Sequence, residues 1–294
     1  MIDFHGVYPI LPTPFREDGS LDVPSIERLI DWVSATGIEG VSILGFLGEA
    51  QKLSSDERDQ VISAVLRRRP KELKVLVGVR AFGAAGAAEM GKSARDQGAD
   101  GLFVAPIPVQ TNRALANFYR TVAAEVGLPV FIHDFPESFG VTVPAELVTE
   151  LAQDDSQVVG IKLEEKPVLP KLSAIRAASA EFRIFGGLGG VYCLEELGRG
   201  ASGIMTGFAF PQILVEIYNA YTSGDVQRAT ELFDRYATLL RYEFQPKIGL
   251  GFRKHLYWRR GVFETTTVRP PSPPVDDQSL KELDQIVERL GLTP

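Results

Sequence analysis

A chain of 294 residues, 45% of them apolar, is the length of one α/β barrel of about 250 residues plus an extension, with enough apolar side chain for a large core. Lys and Arg number 31 against 38 Asp and Glu, a net charge of -7 without a basic stripe, which argues against nucleic acid as the main partner. The single cysteine, Cys193, excludes an internal disulfide, and the scattered His5, His133 and His255 without a CxxC or HExxH motif give no expectation of a metal site.

Short apolar, β-branched runs recur along the chain with helical patterns between them. The first spans 7–11. A helix follows over 22–35, with Asp22 as N-cap, Pro24 in the first turn and Ile26, Leu29, Ile30 and Val33 at helical spacing. The second strand, 40–44, runs into the loop Gly45-Phe46-Leu47-Gly48-Glu49. Ser54 or Ser55 caps the next helix; Asp56 and Glu57 suit its first turn, and Arg67, Arg68 and Arg69 suit its end. Strands at 74–79 and 101–105, a helix at 112–125, a strand at 129–134 and a helix at 144–151 continue the scheme. The last strands are read at 158–162, 183–186 and 203–206.

Such alternation, with near-continuously apolar strands, predicts a (β/α)8 TIM barrel. An open doubly wound sheet would call for a GxGxxG turn after the first strand, and the sequence has none there. Residues 1–222 are read as the barrel with the functional site. Residues 223–294 are read as a C-terminal helical extension, with helices at 226–242, 247–259 and 279–290 and a Pro-rich connector at 269–277. No basic segment followed by an apolar run opens the chain, and no apolar stretch reaches about 18 residues, so a cytoplasmic protein without a membrane partner is expected.

One residue breaks the barrel pattern. Val158, Val159, Gly160 and Ile161 read as a buried strand, and Lys162 ends it. Strand residues alternate faces, so Lys162 and Gly160 share one. If that face is the barrel interior, burial disfavours the ammonium and leaves an amine able to attack a carbonyl. The alternative is a lysine that turns out to solvent, paired with Glu164 or Glu165.

The segments "GVYPILPTPF" (6–15), "GFLGE" (45–49), "HDFP" (133–136), "GIK" (160–162) and "GASGIMTG" (200–207) together resemble the dihydrodipicolinate synthase / N-acetylneuraminate lyase family of Schiff-base aldolases and lyases. The resemblance implies a (β/α)8 barrel with a C-terminal helical extension and a homo-oligomer, a tetramer built from dimers. It also implies a small-molecule 2-oxo acid partner and a covalent imine on Lys162 in place of any metal or organic cofactor. By the same resemblance Gly45, Phe46, Leu47, Gly48, Glu49, Ser138, Gly186, Gly187 and Met205 are the expected substrate-binding positions, with Gly207 helping to shape the mouth.

The sequence departs from the family in its proton-handling residues. The second-strand loop of the family reads Gly-Thr-Thr-Gly-Glu; here Phe46 and Leu47 replace both threonines. Its Tyr-Asn-x-Pro becomes His133-Asp134-Phe135-Pro136. The arginine that holds the second substrate's carboxylate in lysine biosynthesis is Ser138, and 105–110 lacks the family's tyrosine pair. The branch with similar departures resembles 2-keto-3-deoxy sugar acid dehydratases, notably L-2-keto-3-deoxyarabonate dehydratase, although a polar residue is expected there at Leu47.

The expected function is therefore a Schiff-base lyase that dehydrates a 2-keto-3-deoxy sugar acid, with His133 as acid/base because imidazole works in either sense near neutral pH. Pyruvate-dependent aldol cleavage or a dihydrodipicolinate synthase-type condensation is the alternative, and a degenerate barrel that only binds 2-oxo acids is the second. Other roles stay open too. His133 could simply bond Asp134 or a carbonyl. Glu49 could orient loop amides or serve a helix start. The glycines 186, 187, 189 and 190 could cradle a phosphate or form a tight turn.

Overall fold

The computed structural model describes residues 3–154 and 156–293. Eight parallel strands lie side by side in sequence order: β1 Gly6–Val7, β2 Gly40–Ile43, β3 Lys74–Val79, β4 Gly101–Val104, β5 Val130–Asp134, β6 Val158–Leu163, β7 Arg183–Gly186 and β8 Gly203–Ile204. β8 pairs back to β1, and the ring closes between β1 and β2 beyond the regular ladder, where Ser42 donates to Pro9 O at 2.8 Å and Leu11 N donates to Ser42 O at 2.9 Å. The first strand is shorter than the 7–11 expected because Pro9 has no N–H to donate, so pairing on both sides cannot run on unbroken.

The helices that cover the barrel are α1 Val23–Ser34, α2 Ser55–Arg68, α3 Ala84–Gln97, α4 Asn112–Val126, α5 Pro136–Phe139, α6 Ala145–Gln153, α7 Val168–Ala178, α8 Cys193–Gly198 and α9 Pro211–Thr222. Three more, α10 Val226–Glu243, α11 Gly249–Arg259 and α12 Asp277–Arg289, follow. Their starts obey local chemistry: Asp22 accepts from Ser25 N, and Ser54 with Glu57 forms a reciprocal capping box. Leu232, Leu239, Phe252 and Val287 of the last three helices join the same apolar cluster as the outward faces of the strands. Among the described residues, no helix is long and apolar enough to cross a membrane.

Alternation sorts each strand into two layers. Val130 and Ile132 of β5 and Ile161 and Leu163 of β6 pack outward against the helices. Phe131, with Phe4, Tyr8, Ile10, Leu76, Phe103, Phe185 and Met205, fills the barrel interior. Gly160 is small because the Phe131 ring and the Arg183 carbonyl occupy the space a Cβ would need. One irregularity sets the register at the site. Val130 pairs with Val158 but Phe131 pairs with Gly160, so β6 carries Val159 as an extra residue. Past this bulge His133 stands beside Lys162; without it, His133 would face Ile161.

Candidate active site

The mouth at the C-terminal ends of the strands collects the titratable side chains. Lys162 from β6 turns into the barrel and is 5% exposed. It is not the lone amine expected from the strand pattern, nor does it reach out to solvent. Its Nζ donates to Glu164 Oε2 and lies 3.1 Å from His133 Nε2. His133 Nε2 is in turn 3.3 Å from Glu164 Oε2, closing a triangle of three buried groups.

Glu164 was missed as an inward group because the apolar run of β6 stops at Leu163. Period two from Gly160 through Lys162 points to it, and its N–H continues the ladder to Asp134 O at 2.9 Å. Its second oxygen accepts from Leu188 N at 3.2 Å. Glu165, the other acidic candidate, pairs instead with Lys171. Asp134, which His133 could have bonded, lies on the opposite face and holds Lys171 Nζ at 2.6 Å.

The electrostatics follow from burial and charge. Burial pushes the Glu164 carboxyl up, but the Lys162 ammonium and His133 overcome it and hold the carboxyl at about 2. Burial among Phe103, Phe135 and Phe139 drives the His133 imidazole down to about 4, and the Lys162 charge adds to that against the pull of Glu164. At neutral pH the site therefore holds a carboxylate and a neutral imidazole against the lysine nitrogen.

A cleft opens beside the triangle. Gly45, Phe46, Arg80, Phe103, His133 and Phe139 are among its walls. Phe46 is 43% exposed and sets its ring edge-on to Phe135, with centroids 6.4 Å apart. The loop from Gly45 to Glu49 is held by Gly48 N to Gly45 O at 3.1 Å, Glu49 N to Phe46 O at 3.1 Å and the buried Thr13 hydroxyl on Gly48 O at 2.6 Å. Among the described residues, the Phe46 and Leu47 amides donate to no protein acceptor. Leu47 packs where a side chain on Gly207 would lie. Ser138 sits half-buried on α5.

Three more of the expected binding positions are tightly packed. Met205 is fully buried in the interior cluster. Gly186 lies against the carboxyl of Glu196, and Gly187 against the side chain of Glu164. Burial, then the neighbouring Glu164, pushes the Glu196 carboxyl up to about 8. A phosphate cradle would set its anion beside the Glu164 carboxylate, so Gly186 and Gly187 fit close packing of backbone on carboxyl instead.

Glu49 is fully buried, and its partners belong to neither a substrate site nor a helix start. Its oxygens take Lys52 Nζ at 2.7 Å, Lys254 Nζ at 2.6 Å and Arg269 N at 3.0 Å. Burial pushes Lys254 down to about 8 against the pull of Glu49. This cluster bolts the β2 loop to α11 and the Pro-rich connector. Glu49→Gln leaves the buried Lys254 and the partly buried Lys52 without their carboxylate, and a loss of about 3–5 kcal/mol is expected in urea unfolding; a loss below about 1 kcal/mol would show that the cluster is not a structural bolt.

The whole chain matches one protein family. The model of the dihydrodipicolinate synthetase family matches residues 3–290. The chain belongs to that family. Among its dihydrodipicolinate synthetase relatives, the chain is 31% identical over 296 residues to the 4-hydroxy-tetrahydrodipicolinate synthase of Methanothrix thermoacetophila, covering 99% of this chain and 98% of that one. It is 28% identical over 299 residues to YagE of Escherichia coli, described as a 2-dehydro-3-deoxy-D-gluconate aldolase, covering 98% of each. The crystal structure of the Rhodopseudomonas palustris dihydrodipicolinate synthase superposes with a TM-score of 0.91 at 33% identity over 97% of both chains. YagE in complex with pyruvate gives 0.90 at 26% identity over 98% of this chain and 99% of that one. Dihydrodipicolinate synthetase family members are lyases and aldolases acting on small molecules, and this chain is a lyase of that family.

Proposed function

We propose that Lys162 forms an imine with the C2 carbonyl of a 2-oxo acid, and that the reaction is loss of water from a 2-keto-3-deoxy sugar acid, as in L-2-keto-3-deoxyarabonate dehydration. The observation that carries this is the Lys162–Glu164–His133 triangle: two proton acceptors stand in contact with the nitrogen that becomes the electron sink. Glu164 takes a proton from the Lys162 ammonium, and Nζ attacks C2. Water leaves C2 as the iminium forms. The iminium makes a C3 proton acidic; the His133–Glu164 pair accepts it and delivers it to the C4 hydroxyl. The C3–C4 double bond forms as C4–O breaks, and hydrolysis frees Lys162. The net change is one water lost. The route draws on Lys162 itself and calls on no cofactor. The Phe46 and Leu47 amides offer donors for the C1 carboxylate in place of threonine hydroxyls.

Aldol cleavage is the second reading, supported by the likeness to YagE. It would need a base on the C4 hydroxyl and would release pyruvate. Borohydride with pyruvate or 2-keto-3-deoxyarabonate, followed by intact-mass and peptide analysis, is expected to place an adduct on Lys162. Product analysis then separates the routes: an unsaturated or rearranged acid of unchanged carbon count means dehydration, and free pyruvate means cleavage. A folded sample that traps no 2-oxo acid leaves only the binding barrel.

A further inference from the structure

The proton-handling groups of the mouth stand on one side of Lys162. His133 is its in-register neighbour on β5, and Glu164, next but one along its own chain, meets the same imidazole nitrogen at 3.3 Å. On the other side the in-register neighbour is Phe185 of β7. Further round, among the described residues, the inward positions are Gly187, Met205, Gly207, Ile10 and Leu47, none of which can take or give a proton. The hydroxyls on that side are engaged or sealed away. Thr13 donates to Gly48 O at 2.6 Å. Tyr8 packs on Gly40 at the start of β2 and Ser42 stands in register with Leu76, both fully buried in the layers beneath.

We infer that proton transfer at C3 and C4 takes place on one face of the Lys162-bound substrate, the face turned to His133 and Glu164, so that water is lost in the syn sense. The inference rests on the imine reading for one point, the attachment of C2 to Nζ. Conjugation holds Nζ, C2 and C3 of the enamine in one plane, and a C3–H bond breaks only when it stands upright on that plane. Acceptors gathered on one side therefore reach one of the two C3 hydrogens. Its bonding pair becomes the C2–C3 double bond, and the proton stays on the His133–Glu164 pair. In the next step the enamine electrons move to C3–C4, the C4–O pair leaves with oxygen, and that oxygen takes the held proton as water. The opposite wall has no acid to offer it. The hydroxyl that leaves must then lie on the same face as the hydrogen that left, and this selects one of the two C4 epimers.

The test follows the full chain with 2-oxobutanoate in deuterium oxide, by proton NMR and mass spectrometry of the recovered acid. Its C3 carries two hydrogens that differ only in face, and nothing at C4 can leave. A proton held by the pair swaps with solvent through His133, which lines the open cleft, and a deuteron returns to the face that lost it. The recovered acid is expected to gain one deuterium, faster than in an enzyme-free sample, and to stop there. Equal uptake at both positions, or no uptake by a chain whose Lys162 is trapped by borohydride, overturns the inference. Glu164→Gln combined with His133→Ala is expected to slow uptake by about 10^2-fold or more while the adduct still forms; undiminished uptake in that variant also overturns it. For the elimination itself, 2-keto-3-deoxyarabonate deuterated at C3 on the face of its C4 hydroxyl is expected to turn over more slowly than the isotopomer labelled on the other face, and the reverse order overturns syn loss. Trapping keeps the two claims apart. A folded chain with no Lys162 adduct sinks the imine reading, whereas a trapped chain that exchanges both C3 hydrogens sinks the single-face inference alone.

Discussion

Lys162→Ala is expected to remove turnover and the borohydride-stable adduct together. The fall in kcat should be on the order of 10^4-fold or more, the scale on which loss of a covalent nucleophile acts. The same change strands a buried charge. Glu164 is 6% exposed and would keep only His133 and Leu188 N as partners. Its carboxyl, now held at about 2, would rise towards the protonated form. The sign for stability follows. A carboxyl depressed in the folded state stabilises above its unfolded value and loses that contribution as pH falls through about 2. Lys162→Ala should therefore weaken the fold at neutral pH and narrow the difference from wild type in strong acid. Lys162→Arg keeps a cation for Glu164 and cannot form an imine, so it should recover stability without recovering the adduct. An alanine variant that still turns over 2-oxo acids within tenfold of wild type would end the Schiff-base account.

How far the sequence led can be judged from five residues. Lys162 was legible because an ionisable side chain at the end of an apolar run conflicts with the pattern around it. The barrel was legible for the same reason in reverse, since eight apolar runs with helices between them satisfy one architecture. Glu164 and Arg80 were harder, because a charged residue just past a strand reads as an ordinary return to solvent; only continuing the two-residue period past the run marks them as inward. Glu49 could not be placed at all, since its partner Lys254 lies 205 residues away and no local pattern links them. The bulge at Val159 is equally silent in sequence: one valine among apolar neighbours gives no sign that it shifts His133 into contact with Lys162.

Glu164→Gln separates proton handling from imine formation. The amide keeps the shape but cannot accept a proton from Lys162 or share one with His133. The Lys162 adduct should still form, more slowly, while kcat falls by about 10^2- to 10^4-fold, the range for a positioned acid–base group. The pH profile gives a second readout. In the wild type the neutral imidazole is lost as pH falls through about 4, so the acid limb of kcat/KM should lie near 4 and not near the 6.5 of a free histidine. The Glu164 charge favours the protonated imidazole; removing it should push that limb lower still. If Glu164→Gln stays within threefold of wild type in both trapping rate and kcat, the proton must travel by another route, and the burial of a carboxylate against this lysine would be structural alone.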